Sequence, residues 1–237
     1  MDARSKALME LLSAWCGPFF VVTFVFFWGW VGMNIPPLSA HLSAVEVARH
    51  YAEHSGRIRV GFIMSVISVG FYLPWTALLT IQLARREGRY PVLSILQLIG
   101  GALTMLVVSM SGYFWIIAAF RPDRSPEITQ MLNDAGWLSV DQLYICTTLQ
   151  MCAAALVCFF DRGPDPLFPN WAGWLAVWGG FTFFPASLTA FLTTGPFAWN
   201  GLLSFYVPYP AWLVWFLVFS YYMIKDANRQ VATVARA

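Results

Sequence analysis

The sequence predicts an all-α transmembrane helix bundle that forms a single domain over residues 1–237 and crosses the membrane six times. Composition predicts the class, because 59% of the 237 residues are hydrophobic and 11% are charged, whereas soluble domains carry about 25% charged residues. Patterning predicts the helices, because the apolar residues fall in blocks of about 20, the length that crosses a hydrocarbon core roughly 30 Å thick. The charged residues cluster between these blocks.

Each predicted span ends at prolines or at charged residues. Pro36 and Pro37 follow the first span, and proline ends a helix because it has no backbone N–H to donate. Pro74 and Pro185 lie inside the second and fifth spans, where each predicts a kink. The six predicted spans are 12–33, 58–84, 92–120, 139–160, 171–193 and 201–224.

Two short amphipathic surface helices are predicted in the loops on the outer side of the membrane. In residues 43–55, Ser43 and Glu46 have the spacing of a capping box, and a glycine follows as the expected C-cap. The second helix is expected within residues 126–136. Ser139 then begins the fourth span, at capping-box spacing from a glutamine.

The distribution of Lys and Arg predicts the orientation. One side of the six-span topology carries nine of them: Arg4, Lys6, Arg85, Arg86, Arg89, Arg162, Lys225, Arg229 and Arg236. The other side carries five: Arg49, Arg57, Arg59, Arg121 and Arg124. Because short cytoplasmic loops are enriched in basic residues, both termini are expected in the cytoplasm.

The residues missing from the spans exclude several classes of protein. The two lysines, Lys6 and Lys225, lie at span edges, so no lysine is placed for a Schiff base within the bundle. The three histidines, His41, His50 and His54, all fall in the first outer loop, so the usual axial ligand of haem is missing from the spans. No basic run exceeds two residues, which excludes nucleic acid as a partner. The sequence predicts no cofactor.

One segment matches a sequence motif of metalloenzymes. His50-Tyr51-Ala52-Glu53-His54 matches H-x-x-E-H, in which two histidines one helical turn apart ligate zinc and the glutamate activates water. A third ligand is expected from the outer loops, in His41, Glu127 or Asp134. The competing interpretation is that polar residues on a surface helix match so short a pattern by chance.

Among the charged residues, Asp141 is the one that lies closest to the interior of the predicted bundle. One interpretation makes it a ligand-binding or proton-relay carboxylate. The favoured interpretation places it in the first turn of the fourth span, after Ser139, where a carboxylate stabilises the helix N-terminus. A charge near a span end also costs far less free energy than one at its centre.

Several segments are similar to known bacterial membrane proteins: Pro36–Ser39, Ser43–Ala48, Arg57–Gly61, Gln97–Leu98, Ala119–Pro122, Leu132–Asp134 and Thr194–Gly201. On these segments the chain resembles a family of uncharacterised six-span integral membrane proteins of actinobacteria and sphingomonad-type proteobacteria. The resemblance implies a multi-pass protein of the bacterial cytoplasmic (inner) membrane, and it implies no established activity. The sequence departs from the family at His54, where the relatives carry asparagine.

The family's signature residues lie mostly on the outer face and predict a polar cap over the bundle. Arg57 or Arg59 is expected to form an ion pair with Asp134 or Asp141. The residues assigned to this ligand-binding or structural cap are Arg57, Arg59, Asp134, Asp141, Trp199 and Asn200.

The leading functional hypothesis is a non-enzymatic membrane protein that binds or passes a hydrophobic small molecule, such as a lipid, sterol or hydrocarbon. It equally allows an accessory subunit of a membrane complex, with a second protein or a second copy as partner. The alternative is a membrane enzyme with an outward-facing metal site at His50, Glu53 and His54. The third hypothesis is a helix bundle with only a structural or sensory role.

Overall fold

The computed structural model describes residues 2–236, and this part of the chain is helical, with no β-strand. The α-helices are α1 Ala3–Phe24, α2 Ala44–Glu87, α3 Val92–Phe120, α4 Pro126–Gln142, α5 Ile145–Phe160, α6 Asn170–Phe181 and α7 Pro208–Arg236. Three irregular helical segments join them: the π-helical Val25–Val31 and Leu202–Tyr206, and the 3₁₀-helical Phe184–Ala190. The predicted all-α class is confirmed.

Within residues 2–236, five helical stretches are long and apolar enough to cross a membrane: Ala3–Val31, Ala44–Glu87, Val92–Phe120, Pro126–Phe160 and Leu202–Ala235. The predicted fifth span, 171–193, is not one continuous helix, because α6 ends at Phe181 after 12 residues. Pro185 explains the stop, since it has no N–H to bond the carbonyl of Phe181. The chain continues there as a 3₁₀ helix of seven residues, where the sequence predicted only a kink.

The first predicted surface helix is the beginning of α2. Its capping box forms as expected, with the Ser43 amide donating to Glu46 Oε2 at 2.9 Å. The helix then continues without a break through Gly56, although glycine costs about 1 kcal/mol in a helix interior. At 44 residues, α2 is about 66 Å long, so part of it extends beyond a bilayer about 40–45 Å thick.

The second predicted surface helix and the start of the fourth span are also continuous. The helix α4 runs past Ser139, whose hydroxyl donates to the carbonyl of Ala135 at 2.6 Å. Ser139 therefore does not cap a helix, and that prediction was wrong. The break lies further along, at residues 143–144, between α4 and α5.

Small residues allow the helices to approach closely. The helix α2 packs against α3 and α1, α3 against α4 and α5, and α1 against α7. At the crossing of α2 with the first π-helical segment, a Cβ on Gly61 would lie 2.3 Å from the amide nitrogen of Gly32. Close packing of this kind stabilises helix pairs in lipid, where burial of apolar surface contributes little.

A buried polar network joins α2, α3 and α5. The Tyr72 hydroxyl donates to Gln150 Oε1, and the amide groups of Gln150 and Gln97 both donate to Thr76 Oγ1, at 3.1 and 2.6 Å. The Thr80 hydroxyl completes the network with a 2.7 Å bond to Gln97 Oε1. Interhelical hydrogen bonds in lipid contribute on average about 0.6 kcal/mol each, so the network fixes the arrangement of the three helices.

Ion pairs gather at one end of the bundle. They join Arg85 to Glu10 at 2.7 Å, Arg86 to Asp161 at 3.7 Å, and Arg229 to Asp165 at 3.0 Å. These contacts bring together the first part of α1, the end of α2, the α5–α6 loop and the last part of α7. The described parts of both chain termini therefore lie at the same end, which we call the terminal end.

Candidate functional site

The irregular parts of the fold converge on one region of the bundle interior. A small cavity there is bordered by Trp28 of the first π-helical segment, by Leu143 and Tyr144 at the α4–α5 break, and by Phe183 before the 3₁₀ segment. Non-helical backbone at membrane depth is tolerated where protein or a cavity surrounds it, and π-helical turns are frequent at functional sites. This region is the candidate site.

The cavity, called here the inner cavity, has one hydroxyl-bearing wall. Thr104 and Ser111 of α3 and Thr147 of α5 line it, and the hydroxyl oxygens of Thr104 and Thr147 lie 3.0 Å apart. The space open to the centre of a water molecule is about 30 Å³, enough for about two waters. The inner cavity is therefore a small, mostly apolar hollow with hydroxyl groups on one wall.

A second hollow, the lateral groove, runs between the end of α1 with the first π-helical segment and the first part of α7. It offers about 200 Å³ to the centre of a water molecule and exposes only apolar atoms. Val25 and Leu213 line its two sides, and Ile35 and Tyr206 at its rim are 47% and 46% exposed. The chemistry and location of the groove suit an apolar molecule that arrives from the lipid phase.

The inner cavity and the lateral groove share a wall of aromatic side chains: Phe24, Trp28, Tyr209 and Trp212. Trp28 is the centre of this wall and is 4% exposed. Its ring stacks on Phe24 with centroids 5.3 Å apart, on Tyr209 at 5.6 Å and on Phe205 at 6.1 Å. Trp28 therefore lies between the two hollows.

Asp141 lies behind this wall, in the last turn of α4. The placement in the first turn of a helix that starts after Ser139 was therefore wrong. Asp141 is 2% exposed, and its Oδ2 has no hydrogen-bond partner among residues 2–236. The hydroxyl groups of Thr189 and Tyr209 are its polar neighbours, and Tyr209 also lines the inner cavity. The arrangement leaves a buried carboxyl oxygen free for a further hydrogen bond.

The 3₁₀ segment is tied to the α4–α5 break. The Gln142 amide donates to Thr189 Oγ1 at 2.8 Å and to the carbonyl of Ala186 at 3.1 Å. The hydroxyl groups of Tyr144 and Ser187 form a hydrogen bond of 2.8 Å. These bonds satisfy polar groups where the regular helices are interrupted, and they fix one side of the inner cavity.

Trp199 and Asn200 connect the turn before α7 to the segment between the first π-helical segment and α2. Trp199 Nε1 donates to the carbonyl of Leu38 at 2.8 Å. Asn200 Oδ1 accepts from the Ala40 amide at 3.2 Å, and its Nδ2 donates to Ser39 Oγ at 3.1 Å. The two residues hold two distant chain segments together over this end of the bundle.

The predicted ion pairs of the outer cap do not form among residues 2–236. Arg57 Nη2 donates to the carbonyl of Trp30 at 2.8 Å, and Arg59 Nε donates to the carbonyl of Ser55 on its own helix at 3.3 Å. Asp134 accepts from the amide of Asn133 at 3.3 Å. Arg57 therefore contacts the first π-helical segment, and the ion pairs among residues 2–236 do not include Arg57 or Arg59.

The histidines of the H-x-x-E-H segment are neighbours on α2. The ring centroids of His50 and His54 are 5.0 Å apart, and Nδ1 of His54 is 3.0 Å from the carbonyl oxygen of His50. Glu53 is exposed. Within residues 2–236, no group of three or more His, Cys, Asp or Glu side chains is placed to hold a metal ion.

Sequence reasoning missed Thr104 and Ser111 as lining residues. Their spacing of seven places them on one helix face, together with Val108, and this periodicity was the available signal. The wall formed by Trp28 and Tyr209 had no such signal, because it depends on how distant helices meet.

Comparisons with known protein families, with curated proteins and with solved structures found no match for the chain.

Proposed function

We propose that this chain is a multi-pass protein of the bacterial cytoplasmic membrane that binds or passes a lipophilic small molecule. The observation that carries the proposal is the aromatic wall shared by the apolar lateral groove and the hydroxyl-lined inner cavity. Binding sites for small molecules are mostly apolar hollows with a few convergent polar groups. The matching ligand has an apolar body and one small polar end.

The sizes of the two hollows match the two parts of such a ligand. The lateral groove, with about 200 Å³, accommodates the apolar body. The inner cavity, with about 30 Å³, accommodates a hydroxyl, carbonyl or amine group in place of about two waters. Thr104, Thr147 and Asp141 then supply hydrogen-bonding groups at or beside the polar end.

Movement of the aromatic wall is part of the proposal. Trp28 belongs to a π-helical segment, and π-helical turns are frequent at functional sites. When the Trp28 ring turns, the groove and the cavity become continuous, and the polar end of the ligand reaches the hydroxyl wall. When it returns, the polar end is enclosed.

We propose six membrane crossings, with the termini in the cytoplasm. The pairing of Glu10 with Arg85 and of Arg229 with Asp165 brings the first part of α1 and the last part of α7 to the terminal end, which supports an even number of crossings. The helix α6 and the 3₁₀ segment provide the sixth: their 12 and seven residues have lengths of about 18 and 14 Å. Together they match a hydrocarbon core roughly 30 Å thick.

The proposal is tested by ligand recovery from purified protein. Protein extracted in mild detergent should carry a lipid, sterol or hydrocarbon near one equivalent, identified by mass spectrometry. The Leu213→Trp variant fills the lateral groove and should reduce recovery at least fivefold. The matched Val214→Trp variant places the same side chain one position along α7, at a lipid-facing site 46% exposed, and should behave like the parent.

Two results would count against the proposal. Protein that carries no lipophile above the amount in the surrounding detergent, with or without Leu213→Trp, contradicts ligand binding. Recovery of a stoichiometric partner chain in place of a ligand would instead favour an accessory subunit.

A further inference from the structure

A cleft at the terminal end contains polar groups that the bundle itself does not satisfy. It consists of two adjoining hollows, of about 320 and 60 Å³ open to the centre of a water molecule. Arg86, Leu167 and Asp226 border both hollows. This terminal cleft lies between the end of α2, the α5–α6 loop and the last part of α7, away from the inner cavity.

Gln82 of α2 lines the larger hollow and is 2% exposed. Neither its amide nitrogen nor its amide oxygen has a hydrogen-bond partner within residues 2–236. An amide group provides two donors and one acceptor oxygen, and leaving both atoms unbonded in a buried position is costly. The Gln82 side chain can therefore form hydrogen bonds with a ligand that has both an acceptor and a donor.

Both signs of charge border the terminal cleft. The bordering cations are Arg85, Arg86, Lys225 and Arg229, and the bordering anions are Asp165 and Asp226. Arg229 pairs with Asp165, and outside the two hollows Glu10 pairs with Arg85 and Asp161 with Arg86. Lys225 and Asp226 both border the smaller hollow. A cleft that presents cations and carboxylates together favours a ligand that carries both signs of charge.

The arginines retain donors for such a ligand. Arg85 uses Nη1 and Nη2 to bind the two carboxylate oxygens of Glu10, at 3.3 and 2.7 Å. A guanidinium group has five N–H donors, so further N–H groups remain for phosphate oxygens. Asp226 accepts from Gln230 at 2.8 Å, and a carboxylate has lone pairs for additional donors, including an ammonium group.

We propose that the terminal cleft binds the headgroup of a zwitterionic phospholipid, of the phosphoethanolamine type. Arg85, Arg86 and Lys225 bind the phosphate, Asp226 binds the ammonium group, and the Gln82 amide bonds to both polar parts. A membrane lipid is the favoured source, because the cleft lies where the long apolar helices α2 and α7 end in charged residues. Tyr221, 60% exposed on α7, marks the interfacial aromatic belt there.

Native mass spectrometry of the full chain in detergent tests the proposal, with three added compounds: phosphatidylethanolamine, phosphatidylglycerol and soluble glycerophosphoethanolamine. The parent should bind the zwitterionic lipid at least tenfold more tightly than the anionic lipid, and the soluble compound more weakly than either. Gln82→Leu should weaken binding of the zwitterionic lipid about tenfold, the order expected for one or two net hydrogen bonds. Asp226→Asn should remove the preference for the zwitterionic lipid.

A stability measurement separates this role from a structural one. In lipid-free detergent, Gln82→Leu should be at least as stable as the parent, because it replaces an unbonded buried amide by an apolar group of similar size. Arg89→Gln removes a cation at the same end but outside the cleft, and should leave lipid binding unchanged. If Gln82→Leu does not fold, Gln82 has a structural role and the proposal fails.

Three further outcomes overturn the proposal. These are equal binding of the two lipids by the parent, unchanged binding by Gln82→Leu, and binding of the soluble compound as tight as that of the lipid. The last outcome would assign the cleft to a soluble metabolite. None of the three depends on the lateral groove, so failure here leaves the proposed function untouched.

Discussion

The close approach of Gly61 to Gly32 gives the sharpest prediction about the fold. A Cβ at position 61 would lie 2.3 and 2.5 Å from the amide nitrogen and Cα of Gly32, and 2.7 Å from the carbonyl carbon of Val31. Favourable contact between carbon atoms begins at about 3.5 Å, so α2 and the first π-helical segment must separate by about 1 Å. The obstructing atoms are backbone and cannot rotate away.

We expect Gly61→Ala to lower the free energy of unfolding by about 1–3 kcal/mol, the usual cost of overpacking. Gly70→Ala is the matched control, because the same helix has no atom within 4 Å of a Cβ at position 70. That change should be neutral or stabilising by up to about 1 kcal/mol, the difference in helix propensity. The free energies of unfolding of the two variants should therefore differ by about 1–4 kcal/mol.

Equilibrium unfolding in mixed detergent and SDS micelles measures the difference. Gly61→Ala should also reduce recovery of the lipophilic ligand, because the displaced segment carries Trp28. Equal stabilities of Gly61→Ala and Gly70→Ala would refute the packing argument, and with it the position of the aromatic wall relative to α2.

Three other predictions concern buried polar groups and the histidines. Gln150→Leu should lower the free energy of unfolding by about 1–2 kcal/mol, because Tyr72 loses its acceptor. In the same unfolding assay, the double variant with Tyr72→Phe should lose less stability than the sum of the two single changes. Asp141→Asn should retain both folding and ligand, whereas Asp141→Leu should fold but show reduced ligand recovery by mass spectrometry; equal recovery from both would remove Asp141 from the site. Elemental analysis should find less than stoichiometric zinc, copper or iron, unaffected by His50→Ala, and a full equivalent of metal lost in that variant would restore the metalloenzyme interpretation.

The all-α class and several helix ends were predictable because they depend on local features. A run of about 20 apolar residues requires a helix in lipid, where unbonded backbone groups are costly. Charged residues and prolines mark where such a run stops, which is why Phe120 ends α3 at the predicted position. The capping box at Ser43 and Glu46 is equally local, and it forms as predicted.

The continuity of helices was harder to predict. Gly56 and Ser139 have the residue types of helix ends, but each lies inside a helix. Such residues end a helix only when no packing opposes it, because their propensity terms are about 1 kcal/mol or less. At Pro185 the difference was the reverse. The sequence predicted a kink within a continuous helix, whereas α6 ends before Pro185, which has no N–H to continue it.

The site depended on contacts between distant segments. Asp141 was noticed from its charge alone, but its neighbours Thr189 and Tyr209 are 48 and 68 residues away in sequence. Gln82 had no local signal, because its importance lies in the partners that it lacks. Trp28 likewise had no local signal, because its position between two hollows depends on how the distant helices pack around it.

Photo-crosslinking tests most directly whether a lipophilic molecule occupies the lateral groove. Protein in lipid nanodiscs is incubated with a diazirine-bearing fatty alcohol, irradiated and mapped by peptide mass spectrometry. Adducts should concentrate on the groove residues Val25, Tyr206 and Leu213 and should decrease when unlabelled fatty alcohol competes. Labelling spread evenly over lipid-facing residues such as Val214, and insensitive to competition, would contradict the account.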